Sequence, residues 1–387
     1  MRRIILTGSV LVLLVYLGCA SGGKDVETQL EGGRFRIEDE RGFERELGPA
    51  EIAYQSAMQF LASGNYEGAI QQLQQATSIK STYLEAWSQL GKIQTKVKNF
   101  ETGIQAFERA LELSPGDEAL IASIGYNYLY LEDWDKAEEY YGKLIENDTL
   151  NYEGNVHLGF IYQKRGDIDN AIKFYKLALA TKSSDATTMG TLASLYDKKG
   201  EERKKIEYLK MAIEAAPDVY KFKTQLGNVY MNKKDYESAI PIYEGLVIKF
   251  PDMAAYHQNL GLALSQTDRK AEAPAELEKA IELKEDEPLI YVYLSQFYND
   301  LGQQQKSIDT VKRGLNFAAG SGQEPPLYYQ WGVALSKLKK FDEAIAKFEK
   351  VIGYNNPQWT GYARKQIDRQ VKLKKRAEAI KQKEQYE

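Results

Sequence analysis

Few side chains in this sequence carry reactive chemistry. One thiol, Cys19, and two imidazoles, His157 and His257, stand among 387 residues. The histidines lie 100 positions apart, and no CxxC or HExxH spacing accompanies them, so neither brings the neighbours a metal site needs. No GxxxxGK[ST] loop is present to cradle a phosphate, and no GxSxG turn to activate a serine. Asp and Glu recur at helical intervals, as on solvated helix faces. The expectation is a chain with no catalytic site, no metal and no cofactor, in which His157 and His257 are structural or groove residues. Recognition is then left to aromatic side chains, above all the 27 tyrosines.

The aromatic residues are placed by a period of 34 residues. Leu90-Gly91 returns as Ile124-Gly125, Leu158-Gly159, Leu192-Ala193, Leu226-Gly227, Leu260-Gly261 and Leu294-Ser295. Numbered from residue 50, column eight of each unit is small (Ala57, Gly91, Gly125, Gly159, Ala193, Gly227, Gly261, Ser295, Gly332). Column twenty-four is large (Leu73, Phe107, Tyr141, Tyr175, Leu209, Tyr243, Leu277, Val311, Phe348). Column twenty is small again, from Ala69 to Ala344. A period of this length predicts stacked helical hairpins. Small residues let the two helices of a hairpin approach, and large ones fill the space beside them.

Turn chemistry supports the same elements. Asn65, Asn99, Asp133, Asp167 and Asp235 precede a bulky residue and suit the N-cap of each second helix. Gly64, Gly166, Gly200 and Gly302 sit where first helices should end in a left-handed residue. Pro115, Pro217 and Pro251 stop second helices.

This pattern resembles the tetratricopeptide repeat family, best over residues 84–117 with Trp87, Leu90-Gly91, Phe107, Ala110 and Pro115. The resemblance covers residues 50–358 as nine units, with Gly322-Gln323-Glu324 inserted before the ninth. It implies an all-α, right-handed superhelical solenoid of about nine hairpins whose concave face binds a protein or peptide. Such a face is lined by columns two, five, nine, twelve and thirteen. Here these supply Tyr54, Met58, Lys92, Tyr126, Tyr130, Phe160, Lys164, Asn228, Gln258 and Tyr329. One subgroup of the family clamps a peptide carboxylate with Lys in column five and Asn in column nine. The pairs here are Tyr54/Met58, Ser88/Lys92, Ala122/Tyr126 and Thr224/Asn228, so that clamp is not expected. Units one to four offer aromatic anchors, and later units are more polar.

The N-terminus reads as an address. Arg2-Arg3 precede an apolar run from Ile4 to Leu17, too short to span a bilayer, which needs about 20 residues. Leu17-Gly18-Cys19 resembles the bacterial lipoprotein cleavage motif, with Tyr16 where that motif usually has Leu. The resemblance implies a signal peptide over 1–18, a lipidated Cys19 and membrane attachment in the bacterial envelope, at the outer membrane facing the periplasm. Residues 19–49 lack the repeat columns and read as the lipidated cysteine and a flexible tether. A short ordered segment at Arg34-Phe35-Arg36-Ile37 is the alternative.

Three departures mark the array. Lys205 takes the small column-twenty place of unit five, and Pro241 and Pro274 fall within the expected second helices of units six and seven. Residues 359–387 read as a basic helix capping the last hairpin. From Arg364 onward nine basic residues face Asp368, Glu378, Glu384 and Glu387. The pI near 5.7, with no basic stripe along the repeats, argues against a nucleic-acid partner. The functional expectation is a non-enzymatic, lipid-anchored adaptor recruiting a protein partner. The alternative is capture of a glycan by the Tyr-rich face.

Overall fold

The structure is a computed structural model that describes residues 29–31, 34–38 and 44–384. Residues 1–28, with the expected signal peptide and Cys19, lie outside the described residues. Where a flexible tether was expected, three short strands occur: β1 (Gln29–Glu31), β2 (Arg34–Glu38) and β3 (Glu44–Glu46). They form an antiparallel sheet in the order β1-β2-β3, with Leu30 opposite Phe35 and Ile37 opposite Arg45. The Arg34-Phe35-Arg36-Ile37 segment lies within β2.

Nine hairpins follow. The first four pair α1 (Pro49–Ala62) with α2 (Tyr66–Ile79), α3 (Leu84–Lys96) with α4 (Phe100–Leu113), α5 (Glu118–Tyr130) with α6 (Trp134–Asn147), and α7 (Tyr152–Arg165) with α8 (Ile168–Thr181). The next three pair α9 (Ala186–Lys198) with α10 (Glu202–Ala215), α11 (Tyr220–Lys233) with α12 (Tyr236–Lys249), and α13 (Ala254–Ser265) with α14 (Ala273–Leu283). The last two pair α15 (Pro288–Asp300) with α16 (Gln304–Leu315), and α17 (Glu324–Lys337) with α18 (Phe341–Gly353); α19 (Pro357–Glu384) closes the chain. Two compact units divide the array: one ends at Ser184 and holds hairpins one to four, and the other begins at Asp185 and holds the rest with α19.

The columns meet as their sizes require. A Cβ at Gly91 would lie 2.7 Å from the Phe107 ring, at Gly159 2.9 Å from Tyr175, and at Gly332 2.6 Å from Phe348. Column eight is therefore the floor on which the column twenty-four side chain of the same hairpin rests. Phe107, Tyr141, Tyr243 and Phe348 are almost wholly buried there, as are the column-twenty alanines Ala69, Ala137, Ala171 and Ala239. A second row of contacts joins the two helices of three hairpins: Tyr128 stacks on Tyr140 at 5.7 Å, Tyr162 on Phe174 at 5.3 Å, and Tyr196 on Tyr208 at 5.4 Å. Such pairs add about 0.5–1.5 kcal/mol beyond the area they bury.

The caps form largely as expected. Asn65, Asp133, Asp167 and Asp235 accept from the backbone N–H three residues on, at 2.9–3.3 Å. Asn99 departs from this, because its amide turns back to donate to Gln94 Oε1 at 3.0 Å. Gly64, Gly166, Gly200 and Gly302 have φ of 72–80°. Lys98, Glu132, Lys234 and Lys339 take the same turn position with φ of 56–66°, a conformation the sequence did not reveal because these residues disfavour it.

The irregular residues have three different outcomes. Lys205 snorkels, its ammonium reaching Asp197 at 2.8 Å while its stem takes the small-residue place. Pro241 sits inside α12 and leaves the Glu237 carbonyl without its helical donor. Pro274 does not sit inside a second helix: α14 begins at Ala273, which places the proline in the first turn. Proline has no N–H to give, and the first helical turn is where none is needed. Turns over residues 266–272 replace the missing part of that helix.

Candidate functional site

The first unit brings five of the expected groove residues together. Lys92 projects from α3, Tyr126 and Tyr130 from α5, and Phe160 and Lys164 from α7. They line two open pockets that share Tyr126. One, of about 340 Å³, is bounded by Lys92, Thr95, Ala122, Tyr126, Asn127 and Glu153. The other, of about 430 Å³, is bounded by Tyr126, Tyr130, Trp134, His157, Phe160 and Lys164.

The aromatic side chains are held in place by contact with one another. Tyr130 is stacked on Phe100 at 4.9 Å, and its hydroxyl accepts from Tyr126 at 3.0 Å. That hydrogen bond, with partial burial, raises the Tyr126 hydroxyl above its usual pKa, so it remains a neutral donor and acceptor. Trp134 meets Phe160 edge-on at 6.2 Å, and the Lys164 ammonium lies 5.3 Å above the Phe160 ring. Tyr126 and Tyr130 nevertheless stay 39% and 55% exposed, which leaves ring surface open for a ligand. Asn127 is buried at the base of the first pocket, accepting from Thr95 at 2.8 Å and donating to the Ser123 carbonyl at 2.7 Å.

Trp134, Phe100 and Glu153 belong to this surface and were not among the expected residues, and His157, expected as a structural or groove residue, lines its second pocket. Phe100 and Trp134 were visible only as the bulky residues after an N-cap. In these two hairpins that residue buttresses the first helix of the next hairpin. His157 lies against Tyr141 at 4.4 Å, and burial pushes its imidazole down to about 4, so it is neutral at physiological pH. His257, in the second unit, is a clasp between elements. Its Nδ1 lies 2.7 Å from Glu276 Oε2 and its Nε2 2.9 Å from the Pro251 carbonyl, so both ring nitrogens face acceptors.

The other expected groove residues are engaged elsewhere. Tyr54 and Met58 pack, half-buried, on the core of the first two hairpins, with Tyr54 5.2 Å from Tyr83. Asn228, in the second unit, accepts from the buried Tyr243 hydroxyl at 2.6 Å, so its amide serves the core as well as a small polar pocket shared with Asp197 and Lys205. Gln258 is half-buried on α13. Tyr329 is covered by α19: its ring lies 5.3 Å from Trp359 and 6.4 Å from Tyr362, and its hydroxyl accepts from Gln366 at 3.3 Å. Among the described residues no cluster of His, Cys, Asp and Glu could hold a metal ion, and no helix is long and apolar enough to cross a membrane.

Comparison with known proteins agrees with this architecture. Models of the tetratricopeptide repeat match residues 84–117, 123–186, 224–288 and 325–357, and a further TPR repeat model matches 59–97, together more than half of the chain. BBSome complex member BBS4 of Bos taurus is 24% identical over 250 residues, which is 64% of this chain and 48% of that protein. Protein bimA of Emericella nidulans is 29% identical over 85 residues, 22% of this chain and 10% of that one. The chain therefore spans about half or less of the length of these curated relatives. Among solved structures, a tetratricopeptide repeat protein from Parabacteroides merdae is similar with a TM-score of 0.44 and 15% identity, covering 64% of this chain and 98% of that one. MamA gives a TM-score of 0.42 at 18% identity over 45% of this chain and 94% of its own.

Proposed function

We propose that this chain, which belongs to the tetratricopeptide repeat family and is thereby a scaffold for protein–protein contact, works as a lipid-anchored adaptor of the bacterial envelope. In this account Cys19 carries the acyl chains, and the repeats hold a protein partner for assembly, secretion or recruitment. The partner docks a segment across α3, α5 and α7, with an apolar or aromatic side chain seated between Tyr126, Tyr130 and Phe160. Lys92 and Lys164 flank that seat and favour acidic residues on either side of the anchor.

The observation that carries the proposal is the aromatic pocket in which the exposed pair Tyr126 and Tyr130 stands beside the half-buried pair Phe160 and Trp134. Large rings already held in one conformation lose little entropy on binding, and buried aromatic anchors commonly supply 2 kcal/mol or more each. The relative named as a complex member favours an assembly role over a solitary one. Anchoring rests on the motif at Leu17-Gly18-Cys19, and several acyl chains on one cysteine would be needed for firm attachment, since one alone is marginal.

Two variants test the two halves. Phe160→Ala should cut co-purification of partners from the native host by tenfold or more, while Gln258→Ala leaves it unchanged. Equal recovery with both would remove the anchor seat from the account. Cys19→Ala should abolish acyl labelling and release the protein from membranes, and unchanged partitioning with no acyl label on the wild type would refute the lipoprotein half. A sugar that raises the melting temperature through the same aromatic residues would replace the protein partner with a glycan.

A further inference from the structure

The closing helix α19 docks on the last hairpin by one side only. Ala363 and Gln370 are fully buried, Trp359 and Ile367 pack with Phe348 and Val351, and Lys374 reaches Asp342 at 2.6 Å. These residues recur at helical spacing and so determine which side of the helix faces solvent. Opposite them runs the sequence Lys365, Arg369, Lys372, Arg376, spaced four, three and four residues apart, with Arg364 and Lys375 beside it. All six side chains are exposed, and none has an ion pair among the described residues. Asp368 is the one carboxylate within the stripe, and Glu378 lies beyond it towards the docked side. On one flank, Tyr362 is 48% and Ile380 59% exposed, bracketing half-buried Leu373 along the same row.

We infer that this face of α19 is a docking surface for an anionic membrane. A straight row of cations on a rigid helix matches a plane of lipid phosphates, where every side chain can be engaged at once. The exposed Tyr362 and Ile380 on its edge give the apolar contact an interfacial helix makes with the acyl boundary. A single-stranded nucleic acid would instead call for aromatic residues interleaved with the basic ones, and the stripe has none. Each Lys or Arg held near an anionic surface strengthens binding severalfold, and the attraction is screened by salt. The surface is separate from the aromatic cluster of the first unit and does not depend on lipidation at Cys19.

The test uses the full chain carrying Cys19→Ala, so that no acyl anchor contributes. Sedimentation is measured with vesicles of phosphatidylcholine and with vesicles containing phosphatidylglycerol. The leader's own charge, Arg2-Arg3, is removed as Arg2→Gln and Arg3→Gln in every chain compared, and its apolar binding is read from the neutral vesicles. Partitioning to the anionic vesicles should be at least tenfold stronger and should fall to the neutral level at about 500 mM salt. The combined Lys365→Gln, Arg369→Gln, Lys372→Gln and Arg376→Gln substitutions, all exposed and remote from the core, should remove that excess with no change in melting temperature. Ile380→Ser alone should weaken it severalfold. An excess that survives the fourfold substitution would overturn the inference. So would binding to duplex RNA or polyglutamate that matches the vesicles and ignores Ile380→Ser, since that would mark a general charge patch.

Discussion

Column fifteen of the hairpins shows how one residue position governs a turn. Four glycines and four side chains, Lys98, Glu132, Lys234 and Lys339, adopt the same left-handed conformation there. The left-handed region costs a non-glycine residue about 1–2 kcal/mol, part of which glycine returns as unfolded-state entropy. Lys98→Gly, Glu132→Gly and Lys234→Gly should each stabilise the fold by about 0.5–1 kcal/mol in urea melts. A destabilisation at all three would show that the turn is held differently. His157 gives a pH dependence at the same scale. Its pKa falls from 6.5 to about 4 because burial against Tyr141 disfavours the charged ring. Between those values the unfolded chain binds more protons than the folded one, so stability rises with pH. The contribution is complete above about pH 6.5 and is lost as pH falls towards 4, a change of about 2 kcal/mol for this half-buried group. His157→Gln should flatten that part of the stability curve relative to wild type, and an unchanged slope would contradict the assignment.

Whole elements were the most legible part of the sequence. The 34-residue period located the first helices of all nine hairpins, because a small residue must sit under each large one, as Gly91 does under Phe107. The candidate site was only half legible, for a physical reason. Column numbers assign Tyr126 and Tyr329 to similar faces, but neighbouring elements decide what remains open. The ring of Tyr329 lies under α19, Asn228 is drawn to the Tyr243 hydroxyl, and Trp134 reaches the site from the start of a second helix, α6. Proline shows the same limit, since Pro274 moved the start of its helix whereas Pro241 stayed inside one. Restoring the missing donor with Pro241→Ala should stabilise the second unit by up to about 3 kcal/mol. Hydrogen exchange over residues 236–249 should slow in that variant, and exchange as fast as wild type would mean that the helix does not pay for its proline.

At the scale of the whole molecule, each unit is a chain of local contacts, so damage to one hairpin should stay near it. Gly159→Val would drive a side chain into the Tyr175 ring, where even a Cβ lies 2.9 Å away. It should open hairpin four and its neighbours to exchange while α17–α19 remain protected, and global unfolding would contradict that modularity. The same locality lets one array carry separate surfaces, an aromatic one on α5 and α7 and a basic one on α19. The central claim is that the aromatic surface holds a protein partner. Its most direct test is photocrosslinking in the living host from Tyr126 and Phe160, with the 81% exposed Ile248 of the second unit as a control. The account predicts the same discrete adduct from Tyr126 and Phe160 and none from Ile248. No adduct from either groove position, or an identical pattern from all three, would contradict it.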